Sequence, residues 1–218
     1  MANSVFEKHR DALYKNRFGG VLQVDHLVGG IPSDPKVAEG WIKKTLGADN
    51  QALISELVTK TMLERGVVKD DAIDEVVKTT KLNGFKRDDE GLYIEGRQLK
   101  AALKEAASIR WPDRRWGPTR KGTKAFVAEH IFVIEDRLHL GVTEPSGIQQ
   151  RFVSTFRGTG IQYEEYVEDA KVPFSVRSDF DFSDDEWADL WTTGEQQGIG
   201  ATRSQSYGRY AVVEWAKL

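Results

Sequence analysis

The chain has 218 residues, of which 39% are apolar and 30% charged, with a net charge of −3; this is the balance of a soluble globular protein long enough for one well-filled core. It contains no cysteine, which excludes disulfides, thiolate zinc sites and cysteine nucleophiles. No apolar run approaches the roughly 18 residues that span a bilayer. Glu7, Lys8, His9, Arg10 and Asp11 break the apolar core that a secretory signal needs, so the expected location is the cytoplasm, away from membranes.

Residues 1–18 mix apolar and charged positions and predict a short helix or an ordered arm. Gly19-Gly20 precede a first strand over 21–28, where His26 reads as a hydrogen-bonded, half-buried side chain. A turn-rich loop follows over Gly29–Pro35. From 36 to 80 the pattern is helical: Ile54, Leu57, Val58 and Met62 recur at helical spacing, and Gly47 and Gly66 divide the run into three helices. Leu82–Phe85 and Leu92–Ile94 flank a hairpin turn over 87–91. A helix over 98–109 carries an apolar stripe of Leu99, Leu103, Ala106 and Ile109, leaving Lys100 and Lys104 on another face.

The next stretch, 109–124, is rich in proline, glycine and cations. Arg110, Arg114, Arg115, Arg120 and Lys121 neutralise phosphates if a strand lies here, and Trp111 and Trp116 either stack on bases or anchor the loop to the core. Phe126–Leu140 predicts β structure, as one long strand or a hairpin. His130 and His139 lack partners at ligand spacing, so neither a metal nor another cofactor is expected. Residues 141–160 predict a projecting hairpin carrying Phe152, Phe156 and Arg157, and 161–176 an extended aromatic-rich strand. Ser183 and Glu186 form a capping box ahead of a helix that buries Trp187, Leu190 and Trp191. Gly194–Tyr210 is a glycine-rich loop with Gly198, Gly200, Arg203, Ser204 and Arg209, suited to cradling an anion. A closing strand follows over 210–215. The order is β-α-β-β-α-β, an α+β ferredoxin-like (RRM-like) core with a helical insertion after the first strand.

Charge is unevenly spread. Between Arg97 and Lys124 nine Lys/Arg face two acids, whereas between Glu164 and Glu195 eleven acids face two cations. The segments are either solvated faces of opposite sign or a basic groove and an acidic face turned elsewhere.

Two stretches carry a family resemblance. Leu92-Tyr93-Ile94-Glu95-Gly96-Arg97-Gln98-Leu99-Lys100-Ala101-Ala102-Leu103-Lys104 resembles the strand–turn–helix signature of the repeat-associated RNA-binding (RAMP) proteins of CRISPR systems. The loop through Gly198, Gly200, Arg203-Ser204 and Tyr207-Gly208 resembles the glycine-rich loop of the same superfamily. The resemblance, to the backbone (seventh-family) subunits above all, implies one domain over 1–218, with a helical insertion at 36–80 and a thumb-like hairpin at 141–160. It also implies sequence-independent binding of single-stranded nucleic acid, a guide RNA foremost, by subunits repeated head to tail beside other effector subunits. Arg97, Lys100, Lys104 and the residues named above at 110–121, 152–157 and 198–209 are its candidate contacts. In the RNA-cleaving members an aspartate follows the first strand; Asp34 lies near that place with altered spacing, where an aspartate before proline is usually a turn former or helix cap. No catalytic residue is otherwise assigned. Three further readings stay open: a phage single-stranded DNA-binding protein of the same fold, an endoribonuclease using Asp34, and a self-assembling structural protein.

Overall fold

The computed structural model describes residues 14–32, 82–155 and 158–218, with Ala12, Thr59, Lys60 and Leu63 besides. Asp34, Phe156, Arg157, residues 1–11 and 13 of the N-terminal arm and all but three positions of the 36–80 insertion lie outside the described residues. In chain order the described elements are β1 (Asn16–Val28), β2 (Ile31–Pro32), β3 (Leu82–Gly84), β4 (Lys86–Asp88), β5 (Gly91–Glu95), α1 (Gly96–Arg110), β6 (Arg115–Trp116), β7 (Lys121–Gly122), α2 (Thr123–His130), β8 (Ile131–Val133), β9 (Arg137–His139), β10 (Gly147–Thr155), β11 (Gly158–Ser178), α3 (Asp184–Gln197), a 3-10 turn (Arg203–Gln205) and β12 (Tyr210–Lys217).

Alternation along β1 sets the architecture. Phe18, Leu22 and Val24 are buried while Arg17 and Asp25 are exposed, so one face of the strand must be covered. β11 and β12 flank β1, both antiparallel, with Leu22 opposite Val172 on one side and Val212 on the other. β8 lies antiparallel on the far edge of β11 through Val133 and Val176. The order β12-β1-β11-β8, with α1 and α3 between the strands in sequence, is the ferredoxin-like arrangement. Leu99, Leu103 and Ala106 of α1 and Trp187, Leu190 and Trp191 of α3 are buried in the same core as Leu22, Val172 and Val176. The Ser183–Glu186 capping box is formed in both directions and opens α3.

β1 begins at Asn16 rather than after the glycine pair. Gly19 and Gly20 lie inside the strand because a Cβ on Gly20 would stand 2.7 Å from both the Phe174 ring and the Glu214 carbonyl. The 126–140 stretch is neither one strand nor a hairpin. Residues 123–130, with the helix-favouring Lys124, Ala125, Ala128 and Glu129, form α2, which buries Phe126 and Val127; β8 joins β11, and β9 joins β5 in a separate small sheet. Leu82–Gly84 does not pair with β5 either. It runs parallel to β11, and the hairpin partner of β5 is β4. Ile109, placed in the apolar stripe, is exposed near the end of α1, whereas Ala102 and Ala107 are buried.

The hairpin expected over 141–160 is displaced along the chain: β10 pairs with the first part of β11, in register from Gly147 opposite Tyr166 to Thr155 opposite Gly158. Among the described residues no helix is long and apolar enough to cross a membrane.

Candidate nucleic-acid interface

The two sequence stretches meet in space. A cavity of about 310 Å³ is walled by the C-terminal end of β1 and the following loop (Val28, Gly30, Ile31), by β5 and the start of α1 (Tyr93, Ile94, Glu95, Gln98, Ala101), and by the glycine-rich loop (Gly200, Ala201, Arg203). The chain brings the loop here because it doubles back on β1. The Ile199 N–H donates to the Gly208 carbonyl at 2.8 Å, and the Gly208 N–H donates to the His26 carbonyl at 2.8 Å. Gly208 has φ 72, and a Cβ there would run into the Ile199 carbonyl oxygen, so only glycine suits the position. The wholly buried Ile199 side chain pins the loop to the core. Arg203, in the 3-10 turn, then reaches back to Glu105 of α1 at 2.8 Å.

Cations at the rim are partnered. Lys86 and Arg97 both bind Glu95, at 3.3 and 2.6 Å. Burial works to raise the Glu95 pKa, but Arg97 and Lys86 outweigh it and hold the carboxyl below the ordinary range. Arg203 spends one of five guanidinium N–H donors on Glu105, which leaves donors for an anion. α1 begins beside the cavity with no side-chain cap and no acid in its first turn, so its amide dipoles favour negative charge there.

The hairpin is fastened to the same end of the sheet. Glu164, fully buried, accepts from Arg151 at 2.6 and 3.0 Å, and Gln149 bonds the His26 ring at 2.9 Å. That ring is stacked on Tyr166 and packs on Tyr207 of the glycine-rich loop, so loop, β1 and hairpin form one unit. His26 is thus the half-buried, hydrogen-bonded side chain expected. Ile148, Phe152 and Ile161 are exposed, and Phe152 and Ile161 oppose each other in register, an apolar patch on the ribbon.

The remaining expected contacts lie elsewhere. Loop 111–124 sits past the C-terminal end of α1, about 20 Å along a 15-residue helix from the cavity. Its Trp116 is 3% exposed, stacked on Phe126 at 4.8 Å and donating to the Thr123 hydroxyl at 3.0 Å. This is the anchoring role, and a buried indole offers no face to a base. Arg114 lies over Trp116 at 3.6 Å and pairs with Glu186, while Arg110 pairs with Asp189 at 3.0 Å. The basic and acidic segments therefore neutralise each other in part inside one chain, because α1 and α3 are neighbours on the same face of the sheet. Lys121 pairs with Glu129. Arg115, Arg120, Lys124 and Arg209 are exposed, with no ion pair among the described residues; Ser204 is exposed in the 3-10 turn. Lys100 points its ammonium over the Phe132 ring at 4.3 Å, and burial, with Lys104 nearby, depresses its pKa.

Three features had no usable signal in the sequence. His130 bonds Asp179 at 2.7 Å and His139 bonds Asp88 at 3.0 Å, each across 49 or more positions. Gln98, in the first turn of the signature helix, lines the cavity, and its side-chain oxygen is closed to solvent and lacks a partner among the described residues. No group of three or more potential metal ligands occurs among the described residues.

No family model and no curated protein matches the chain. Among solved structures it is similar to a chain in the cryo-EM structure of the Type III-B Cmr-beta complex bound to cognate target RNA, with a TM-score of 0.47 and 8% identity. That similarity covers 97% of this chain and 64% of the other, so this chain spans under two thirds of its neighbour's length.

Proposed function

We propose that the protein binds single-stranded nucleic acid, RNA in the first instance, through phosphates and without reading sequence. In this reading it is a RAMP-like domain comparable to the backbone subunits of CRISPR effectors, with the 36–80 segment as its insertion and the β10–β11 ribbon as its thumb. One observation carries the proposal: the strand–turn–helix stretch and the glycine-rich loop, remote in sequence, wall the same cavity and are tied by the Arg203–Glu105 bond. A helix start without a side-chain cap and a guanidinium with spare donors supply phosphate contacts. The exposed Phe152 and Ile161 on the ribbon supply a wedge between bases.

The cavity and ribbon lie at one end of β1 and the 111–124 loop lies toward the other, separated from the cavity by the length of α1, about 20 Å. In a head-to-tail row the exposed Arg115, Arg120 and Lys124 of one copy then face the ribbon end of the next, and a strand crosses both. Titration of single strands at rising salt tests the reading. Affinity should be equal across sequences and should fall steeply with salt as counterions are released. On strands of graded length, mass photometry should find oligomers that grow with the strand. Absence of binding to RNA and single-stranded DNA at low salt overturns the function, and a fixed stoichiometry overturns the row.

A further inference from the structure

One side chain joins the ribbon to the glycine-rich loop. His26, near the end of β1, meets the ribbon through its ring nitrogen Nε2, 2.9 Å from the Gln149 side-chain oxygen. The other end of that amide donates to Glu164 at 3.4 Å, and Glu164 accepts in turn from Arg151 at 2.6 and 3.0 Å. A carboxylate accepts and cannot donate, so Gln149 turns its NH2 to Glu164 and its oxygen to His26. The proton of the His26–Gln149 bond therefore sits on Nε2. The ring is stacked on Tyr166 of β11, with 4.7 Å between centroids, and packs on Tyr207 of the loop at 5.1 Å. The His26 carbonyl also accepts from the Gly208 N–H at 2.8 Å, so the loop is held by backbone and ring together. From Gly147 to Phe152 no residue of β10 is buried. A two-stranded ribbon is marginal on its own, and with no core residue on β10 its setting rests on these polar and ring contacts.

Resting on the nucleic-acid reading above, we propose that His26 is a positioning residue that fixes the ribbon and the glycine-rich loop relative to each other, so that one strand is held by both at once. Two weak contacts on one rigid body reinforce each other, because the second forms at the high effective concentration set by the first. A joint that lets them move independently lowers that concentration and adds the entropy of ordering them on binding. The contacts so coupled are Arg203 on the loop, for a phosphate, and the exposed Phe152 on the ribbon, for a base. His26 acts through them and touches no part of the strand.

Two measurements test this. The chain has no cysteine, so Ile148→Cys, at an exposed ribbon position, takes a single nitroxide label. Without nucleic acid, electron paramagnetic resonance should show faster motion of that label when His26→Ala is added. On a single strand short enough for one subunit, His26→Ala should bind about tenfold more weakly than the wild type. Added to Phe152→Ala it should cost nothing further, since the ribbon contact that it positions is already gone. Gln149→Leu cuts the same joint from the ribbon side and leaves β1 whole. It should move both readouts in the same direction, and it decides the matter if His26→Ala does not fold. An unchanged label spectrum, an unchanged affinity, or a loss that adds in full to that of Phe152→Ala overturns the proposal and leaves strand binding itself intact. A wild type that binds no strand at low salt would instead count against the function it rests on, and the label would still decide whether His26 holds the joint.

Discussion

Segments 111–124 and 198–209 both interleave arginine, glycine and an aromatic residue, yet the fold uses them in opposite ways. In the first, Trp116 enters a cluster with Phe126, Phe180 and Phe182, and Arg114 is clamped between that indole and Glu186. The aromatic residue closes one end of the core, and the cation beside it is consumed in holding the closure. In the second, the core anchor is the aliphatic Ile199, and Tyr207 packs on His26 at the sheet end. Arg203 lines a cavity and spends one donor on a half-exposed carboxylate. What separates a structural loop from a candidate binding loop is therefore where the aromatic ring goes and how many donors of the arginine remain, not composition.

The largest effect that follows is on stability. Trp116→Ala removes a wholly enclosed indole and the partner of the Thr123 hydroxyl, and should lower the free energy of unfolding by about 3–5 kcal/mol. Equilibrium denaturation with urea measures it. Molecules that remain folded should keep their affinity for single strands. A loss of affinity without a loss of stability would mean that the loop binds through Trp116 after all, and the contrast between the two segments would fail.

Binding offers the converse comparison. Arg203→Ala should reduce affinity for every sequence and lower the salt slope by about 0.7, the value for one phosphate on a single strand. The triple change of Arg115, Arg120 and Lys124 to Ala should leave a strand bound to a lone subunit nearly unaffected. On longer strands it should weaken binding, because only there does the far end of a neighbour meet the strand. Equal losses on short and long strands would place all these cations on one surface, against the separation of the two ends seen in the fold.

Much of this was legible in the sequence where local rules decide. The capping box at Ser183, the burial of Trp187, Leu190 and Trp191, and the helix of the signature stretch all follow from spacing within one element. Sequence reasoning failed where a long-range contact overrode local pattern. Phe126 and Val127 read as strand residues, and the buried Thr123, bonded to the Trp111 carbonyl at 2.8 Å and to the indole of Trp116, fixes the start of a helix instead. Gly19 and Gly20 look like a turn and serve close packing against Phe174. Within the candidate site, the arginine and the glycines were visible as a motif. Gln98 was not, because an unpaired oxygen is a property of three-dimensional surroundings. The opposed charge segments were visible too, but not that Arg110 and Arg114 meet Asp189 and Glu186 in the same chain.

The smallest expected effect concerns a third arginine, one paired with a carboxylate of the small sheet. Arg137 on β9 donates to Asp88 at 2.6 Å, and His139 bonds the same carboxylate at 3.0 Å, joining β9 to the β4–β5 hairpin from which α1 departs. Burial works to raise the Asp88 pKa, but Arg137, His139 and the Glu90 N–H outweigh it, and the net shift is downward. A carboxyl whose folded pKa is depressed contributes stability that is fully present above the unfolded value, about 3.9, and is lost as pH falls through the lower folded value. Asp88→Asn keeps a side-chain oxygen for the Glu90 N–H at 3.0 Å, so the turn survives and only the charge is removed. The variant should be less stable than the wild type by about 1 kcal/mol or less at neutral pH, as for a partly solvated ion pair. In denaturation series run to progressively lower pH, that gap should begin to close below the ordinary aspartate value and vanish once Asp88 is protonated in both states. A gap that stays constant across the acid range would mean that Asp88 acts through its neutral hydrogen bonds, and that Arg137 contributes nothing to holding the small sheet under α1.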